Sequence, residues 1–130
     1  MTMYPDDLKY TKDHEWIRDE GDTFTVGITA FAAEQLGDVT YVELPGVDTQ
    51  VVQGNAAGAV ESVKAASDVY APVSGTVSEV NGELENAPEL VNQSPYAQGW
   101  FFKLTGVDKS QLTGLMDSAA YEKFADEQAH

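Results

Sequence analysis

Glu61-Ser62-Val63-Lys64-Ala65, followed by Ser67-Asp68-Val69-Tyr70-Ala71-Pro72-Val73-Ser74-Gly75, is the stretch that decides the reading of this chain. Gly58 to Val63 has strand character and Asp68 to Val73 resumes it, so Lys64 falls where one strand stops and its return begins. A lysine between Val63 and Ala65 at such a tip presents its amine to a partner. That is the arrangement required of a lysine that is covalently loaded with a carried group and swung between active sites. Pro72 has no N–H to give to a ladder, which makes the return strand an edge strand or a bulged one.

The flanking sequence supplies more of the same pattern. Trp16-Ile17 before Glu20-Gly21-Asp22 reads as a strand into a turn, and Thr23 to Ile28 alternates polar with apolar residues. Thr29 is placed to cap a short helix from Ala30 to Leu36, which Gly37 ends. Val39 to Leu44 is a strand up to Pro45-Gly46, and Val51-Val52 runs into a turn at Gly54-Asn55. Gly75 to Val80 alternates again, ahead of the turn dipeptide Asn81-Gly82. Gly37-Asp38-Val39-Thr40-Tyr41-Val42 and Gly75-Thr76-Val77-Ser78-Glu79-Val80 share one pattern, Gly-x-Val-(Ser/Thr)-x-Val. The match suggests two similar half-sheets facing one another, with Lys64 on a hairpin between them. After Glu85-Asn86-Ala87-Pro88 comes an irregular stretch, and Gly99 to Leu104 is a short apolar strand. Leu112, Leu115 and Met116, then Tyr121, Phe124 and Ala125, fall at helix spacing and read as core contacts. The polar tail from Asp126 to His130 is expected to fray. The fold class is mainly β: a sandwich or flattened barrel with a short helix in the N-terminal half and C-terminal helices. It forms one domain, 1–130, with a β core of about residues 22–104 and a helical segment of about 108–127.

Composition narrows the function. The chain has 130 residues, 42% of them hydrophobic, enough for one sizeable core. Asp and Glu number 22 against 7 Lys and Arg, a formal charge of −15. That balance excludes a nucleic-acid or anionic-membrane binder, since both require a positive face, and favours partners with basic docking surfaces. There is no cysteine, hence no disulfide framework and no thiolate nucleophile. His14 and His130, the two histidines, lie at opposite ends and make no ligand cluster, so no metal is expected. No nucleophile-plus-base arrangement or phosphate-binding glycine loop appears. Met1-Thr2-Met3-Tyr4-Pro5-Asp6-Asp7 has no basic or apolar run of a targeting segment, so the protein reads as soluble and cytoplasmic. A mature mitochondrial-matrix protein would read the same way.

A hairpin lysine followed by Ala-Pro-x-Ser-Gly resembles the attachment site of lipoyl and biotinyl domains. A biotinyl site would have methionine on both sides of the lysine, where this chain has Val63 and Ala65. The Glu61-Ser62-Val63-Lys64-Ala65 run is similar instead to the lipoylation site of the glycine cleavage system H protein family. The resemblance extends over nearly the whole chain. It takes in Tyr10-Thr11, His14-Glu15-Trp16, Gly27-Ile28-Thr29, Leu36-Gly37-Asp38, Val42-Glu43-Leu44-Pro45, Pro72-Val73-Ser74-Gly75, Glu79-Val80-Asn81, Pro88 to Asn92, Pro95-Tyr96 and Gly99-Trp100. Ala30-Phe31-Ala32-Ala33 departs from the family's more polar pattern, and Gly46-Val47-Asp48 varies a loop; neither touches the lysine.

The resemblance implies a carrier and not a catalyst. Lys64 would bear lipoic acid through an amide, which removes its charge and leaves a long arm ending in a dithiolane. A chain without thiols cannot attack that disulfide by exchange. The implied partners are glycine decarboxylase, a pyridoxal-phosphate enzyme that would load an aminomethyl group; the tetrahydrofolate-dependent aminomethyltransferase; the flavoenzyme dihydrolipoamide dehydrogenase; and a lipoylating enzyme. Nucleic acid and membrane are not among them, and the carrier would be a monomer. Glu61, Ser62, Val63 and Ala65 would serve recognition by the lipoylating enzyme. The loaded amine is cationic, and carboxylates near the arm would hold it away from water; Glu15 and Asp68, with His14, are the candidates for that pocket. The competing readings are a lipoyl donor that relays its group to other dehydrogenase complexes or serves sulfur metabolism, and a non-lipoylated relative that keeps the fold as a binding module.

Overall fold

The computed structural model describes residues 4–128; Met1-Thr2-Met3 and Ala129-His130, with the expectations that fall on them, lie outside the described residues. The strands are β1 (Lys9–Tyr10), β2 (Glu15–Asp19), β3 (Phe24–Ile28), β4 (Val39–Glu43), β5 (Gln50–Val51), β6 (Ala56–Ser62), β7 (Ala66–Tyr70), β8 (Gly75–Val80) and β9 (Phe102–Thr105). The α-helices are α1 (Ala30–Leu36), α2 (Glu83–Asn86), α3 (Leu90–Gln93) and α4 (Ser118–Gln128), and a 3-10 helix spans Lys109–Gly114.

Two antiparallel sheets form, one of six strands in the order β1-β2-β3-β9-β8-β5 and one of three in the order β4-β6-β7. Neither closes into a barrel. The two Gly-x-Val segments fall on β4 and β8, one in each sheet, as the repeat suggests. Val39 and Val42 of β4 and Val77 of β8 meet in one core with Val60, Val69, Phe102 and Leu104. A second, aromatic cluster joins the N-terminal segment to α4. Tyr10 stacks on Tyr121 with ring centroids 4.7 Å apart, and Tyr4 meets Tyr121 edge-on at 5.0 Å. The helical stripe read from Tyr121 and Ala125 is therefore buried as expected, against aromatic residues of the first turns of chain.

Six expectations are corrected. β7 ends at Tyr70, so Pro72 lies beyond the strand; β7 is an edge strand, but not because of the proline. Asn81-Gly82 makes no two-residue hairpin. Asn81 is buried, its amide donates to the carbonyls of Gln98 and Trp100 at 2.8 Å each, and the chain enters α2 from Gly82. The stretch after Pro88, read as irregular, holds α3. The apolar strand begins at Phe102 and not Gly99, while the backbone of Phe101 bonds Val26 and Asn81 outside the ladder. Helix α4 runs on to Gln128, past the expected fraying point at Asp126. Leu112 lies on the 3-10 helix, while Met116 leaves it to bridge Tyr10.

Trp16 fixes the middle of β2. Its indole N–H lies 3.0 Å from both the Ile28 and the Pro95 carbonyls, and the Arg18 guanidinium sits 4.9 Å from its ring centre. Its cross-strand partner is Gly27, and a β-carbon there would come within 2.6 Å of Trp16 Cζ2. A ring held by two carbonyls cannot retreat. Gly27→Ala is therefore expected to lower the unfolding free energy by about 1–3 kcal/mol through overpacking. Urea unfolding followed by tryptophan fluorescence measures it, and wild-type stability would mean the ring is free to shift.

Candidate functional site

Lys64 occupies the tip of the β6–β7 hairpin, as the sequence indicates, and is exposed. The tip is a stapled turn. Ser62 N–H donates to the Ala65 carbonyl at 2.8 Å, and Ser62 Oγ accepts the backbone N–H groups of Lys64 and Ala65 at 3.2 and 3.1 Å. Val63 N–H donates to the Asp38 carbonyl at 3.2 Å, which ties the tip to the turn before β4. Val63 itself is 71% exposed, so its apolar side chain stands beside the lysine with no cover among the described residues. Glu61 is exposed on β6 and pairs with Ala66 on β7 and Tyr41 on β4. Ala65 is exposed in the turn.

The lysine stem lies against Gly37. A β-carbon at Gly37 would come within 3.0 Å of Lys64 Cε, and the glycine has φ 77°, a region that disfavours other residues. Asn92 of α3 holds this turn from behind. Its amide donates to the Gly37 carbonyl at 2.7 Å and its side-chain oxygen accepts Val39 N–H at 2.9 Å. A side chain at residue 37 would crowd the route along which the lysine runs.

Residues preceding Gly37 line a cleft of about 270 Å³. Its apolar wall comes from Ile28, Phe31, Leu36, Val60 and Val69, and its polar side from Asp13, His14, Glu15, Ser67 and Asp68. The structure thus brings together His14, Glu15 and Asp68, which lie up to 54 positions apart in sequence. Asp68 is exposed at the mouth on β7; His14 is half-buried; Glu15 is 2% exposed. Glu15 also lines a second cleft, of about 510 Å³, bounded by Tyr10, Pro72, Leu115 and Met116. Asp13 lines both clefts with it.

Glu15 is not an ordinary surface acid. Its Oε1 accepts the Thr11 hydroxyl at 2.7 Å and its Oε2 accepts Tyr70 N–H at 3.2 Å. Burial raises its pKa from 4.5 to about 7, against the two hydrogen bonds, which lower it; the nearby Asp13 carboxylate adds to the rise. Thr11 is the hub of the loop. Its Oγ1 also accepts the N–H groups of Asp13 and Glu15, and its backbone bonds Glu15 and His14. His14 adopts φ 71°, and its carbonyl accepts Thr29 N–H at 2.9 Å. Thr11 and Asn92 are not among the site residues read from the sequence, and Ser62 is read there for recognition and not as the staple of the turn. Thr11 is a short hydroxyl residue four positions before an acid, and that spacing was its available signal.

The fold and this geometry can be set beside known proteins. Residues 8–128 match the family model described as Glycine cleavage H-protein. A glycine cleavage system H protein of Laribacter hongkongensis is 58% identical over 124 residues, covering 95% of this chain and 98% of that one. One from Symbiobacterium thermophilum is 54% identical over 127 residues, covering 98% and 99%. The crystal structure of a glycine cleavage system H protein from Mycobacterium marinum superposes with a TM-score of 0.82 at 34% identity, over 97% of this chain and 99% of that one.

The buried carboxylate carries a sign for stability. Its folded pKa lies above the unfolded value, so its contribution is full below about pH 4.5 and is lost as pH rises through about 7. Glu15→Gln removes the titration. Wild type should therefore lose on the order of 3 kcal/mol relative to Glu15→Gln between the two ends of that window. Paired denaturant titrations at each pH check it; a constant difference would mean Glu15 titrates normally.

Proposed function

The chain belongs to the glycine cleavage H-protein family, and we propose from that premise that it is the lipoyl carrier of the glycine cleavage system, with Lys64 as the attachment residue. The observation that carries the reading is the pairing of an exposed lysine on a stapled hairpin tip with a cleft that opens beside the turn its stem touches. The residues present suit lipoate. The Lys64 amine is free to form an amide, the apolar wall of the cleft suits a hydrocarbon arm, and the carboxylates of Glu15 and Asp68 suit a cationic cargo. Bound there, lipoate supplies the dithiolane sulfur on which a one-carbon amine unit is carried.

The work of this chain is to present, hold and protect. Ser62 fixes the turn so that Lys64 projects in one orientation, and Glu61, Val63 and Ala65 form the surface that a lipoylating enzyme reads. Glu15, ionised and hydrogen-bonded through Thr11, accepts the ammonium of the cargo; Asp68 adds a second negative charge at the mouth. An ammonium beside Glu15 favours its ionised form, which offsets the burial that raises its pKa. Tethering keeps the cargo at high effective concentration at each enzyme it visits. Those enzymes are glycine decarboxylase, the aminomethyltransferase and dihydrolipoamide dehydrogenase, and the carrier contributes no catalytic group of its own. It acts as a single unit in the cytoplasm. Among the described residues no helix is long and apolar enough to cross a membrane.

Two measurements test the reading. Intact mass of protein from a lipoate-supplied host should show the lipoyl increment in wild type and none in Lys64→Arg, which keeps the charge; an increment retained in the variant would move the site. Ammonia release from the charged protein should be roughly tenfold faster in Glu15→Ala, as loss of a charge-assisted hydrogen bond implies, and less affected in Asp68→Asn. Unchanged release in both variants would remove the pocket role and leave the attachment site standing.

A further inference from the structure

His14 shares the proposed cargo cleft, yet the carrier role gives its ring no task. Its Nδ1 lies 2.7 Å from the Tyr121 hydroxyl, and that hydroxyl lies 2.8 Å from Thr29 Oγ1. Thr29 and Tyr121 are both fully buried. Three groups from three parts of the chain thus form a line: the loop before β2, the cap of α1 and the C-terminal helix α4.

The hydrogens in this line can be assigned by counting. Thr29 Oγ1 already accepts Ala32 N–H at 3.2 Å as the cap of α1. Its own hydrogen has one partner among the described residues, the Tyr121 oxygen. Tyr121 therefore accepts from Thr29, and its hydrogen goes to His14 Nδ1. An Nδ1 that accepts belongs to a neutral imidazole whose proton is on Nε2. If Nδ1 were protonated, it would have to donate to Tyr121, and one buried hydroxyl hydrogen in the line would be left without an acceptor, at a real penalty.

We propose that Tyr121 is a positioning residue for the cleft: its hydroxyl, oriented by Thr29, holds His14 as the neutral Nε2–H tautomer, so that a cationic cargo meets Glu15 and Asp68 with no imidazolium beside them. The cargo in this statement rests on the carrier role proposed above; the tautomer does not. The ring is clamped in place by Phe31 of α1 at 4.8 Å and Phe124 of α4 at 5.7 Å between ring centres. The ionisable groups around it are Asp13 from its own loop, Glu15 from the start of β2, Asp68 from β7 and Tyr121 from α4; α1 lines the cleft with Phe31, Ala32, Gln35 and Leu36, none of them charged. Burial lowers the pKa of His14 and Asp13 opposes it, so environment and hydroxyl act in the same direction. Tyr121 stays a neutral donor because burial, first among several causes, raises its pKa well above the ordinary value.

The tautomer can be read in the unmodified protein. Nitrogen-15 NMR of the histidine rings should show His14 with Nδ1 bare and Nε2 protonated near neutral pH; an Nδ1–H form would overturn the proposal without any variant. Tyr121→Phe keeps the stacked ring and deletes only the hydroxyl. It should make His14 about fivefold easier to protonate, the worth of one ordinary hydrogen bond. Thr29→Ser, which keeps a hydroxyl, should retain the wild-type titration. In lipoylated, charged protein, Tyr121→Phe should release ammonia faster than wild type below the ordinary imidazole pKa of 6.5 and at the same rate well above it. A purely packing role for Tyr121 predicts unchanged His14 titration and no pH-dependent difference in release. If Lys64 takes up no lipoate, the carrier reading falls while the tautomer result stands; if His14 titrates identically in Tyr121→Phe, this proposal falls while lipoylation is untouched.

Discussion

The Glu15 carboxylate reaches from the six-stranded sheet to the last backbone N–H of β7 in the three-stranded one, and it does so from a position with 2% exposure. Most buried acids are neutralised or paired with a cation. This one has no cationic partner among the described residues; its oxygens are taken by a hydroxyl and an amide. The contact spans the two sheets beside two clefts that Glu15 lines, so the placement of β7, and of the hairpin that begins it, depends on a group whose charge is finely poised. A carboxylate at about pKa 7 holds these donors in either protonation state, but it attracts a cation only when ionised. The same residue can therefore be structural at rest and electrostatic when a cation approaches.

Around that contact the molecule divides its rigidity unevenly. The lysine is exposed, but the turn beneath it is held by Ser62, and the stem runs past a glycine that Asn92 locks from the far side. The backbone on either side of Lys64 is thus fixed while the side chain is free. A tethered arm benefits from that combination, since its effective concentration at a partner's site depends on the anchor's geometry as well as on the arm's length. Gly37 serves both halves: its positive φ ends α1, and its missing side chain leaves space for the lysine.

Much of this was legible in the sequence, because it depends on local signals. Alternation located β3 and β8, strand-like runs bounded by turn residues located β4 and β6, the Thr29 and Gly37 caps set α1 to the residue, and the Gly-x-Val repeat placed one copy in each sheet. The errors arose where a local signal was overridden by a distant partner. Asn81-Gly82 is a hairpin dipeptide by propensity, but the Asn81 amide is claimed by the Gln98 and Trp100 carbonyls, and the chain turns into a helix instead. Glu15, among 22 acids, carries nothing in its own sequence to mark it as buried. Its burial follows from packing between two sheets, which no window around residue 15 contains. Asp68 and His14 were named beside it through the family resemblance, whereas Thr11 and Tyr121 were not. One bonds through a loop whose geometry needs φ 71° at His14, and the other sits 107 positions away, in a stripe that reads correctly as core and hides a polar hydroxyl.

Charge links the tip to the cleft. Neutralising Lys64 as an amide would take the formal charge from −15 to −16 and remove a cation from beside a cleft lined by Asp13, Glu15 and Asp68. Loading would thus deepen the negative potential at the moment an arm becomes available to enter. The apolar wall of Ile28, Phe31, Leu36 and Val69 limits water there and lowers the effective dielectric, which strengthens attraction for a cation and equally strengthens repulsion from any positive group left inside. His14 is the one side chain of the cleft that could become such a group. The acids alone would draw a proton onto it; burial and the line of hydroxyls from Thr29 through Tyr121 oppose that. On the carrier role proposed here, a cleft this acidic would stay selective for a carried cation only if its own base remained neutral, and the C-terminal helix brings the hydroxyl that would keep it so.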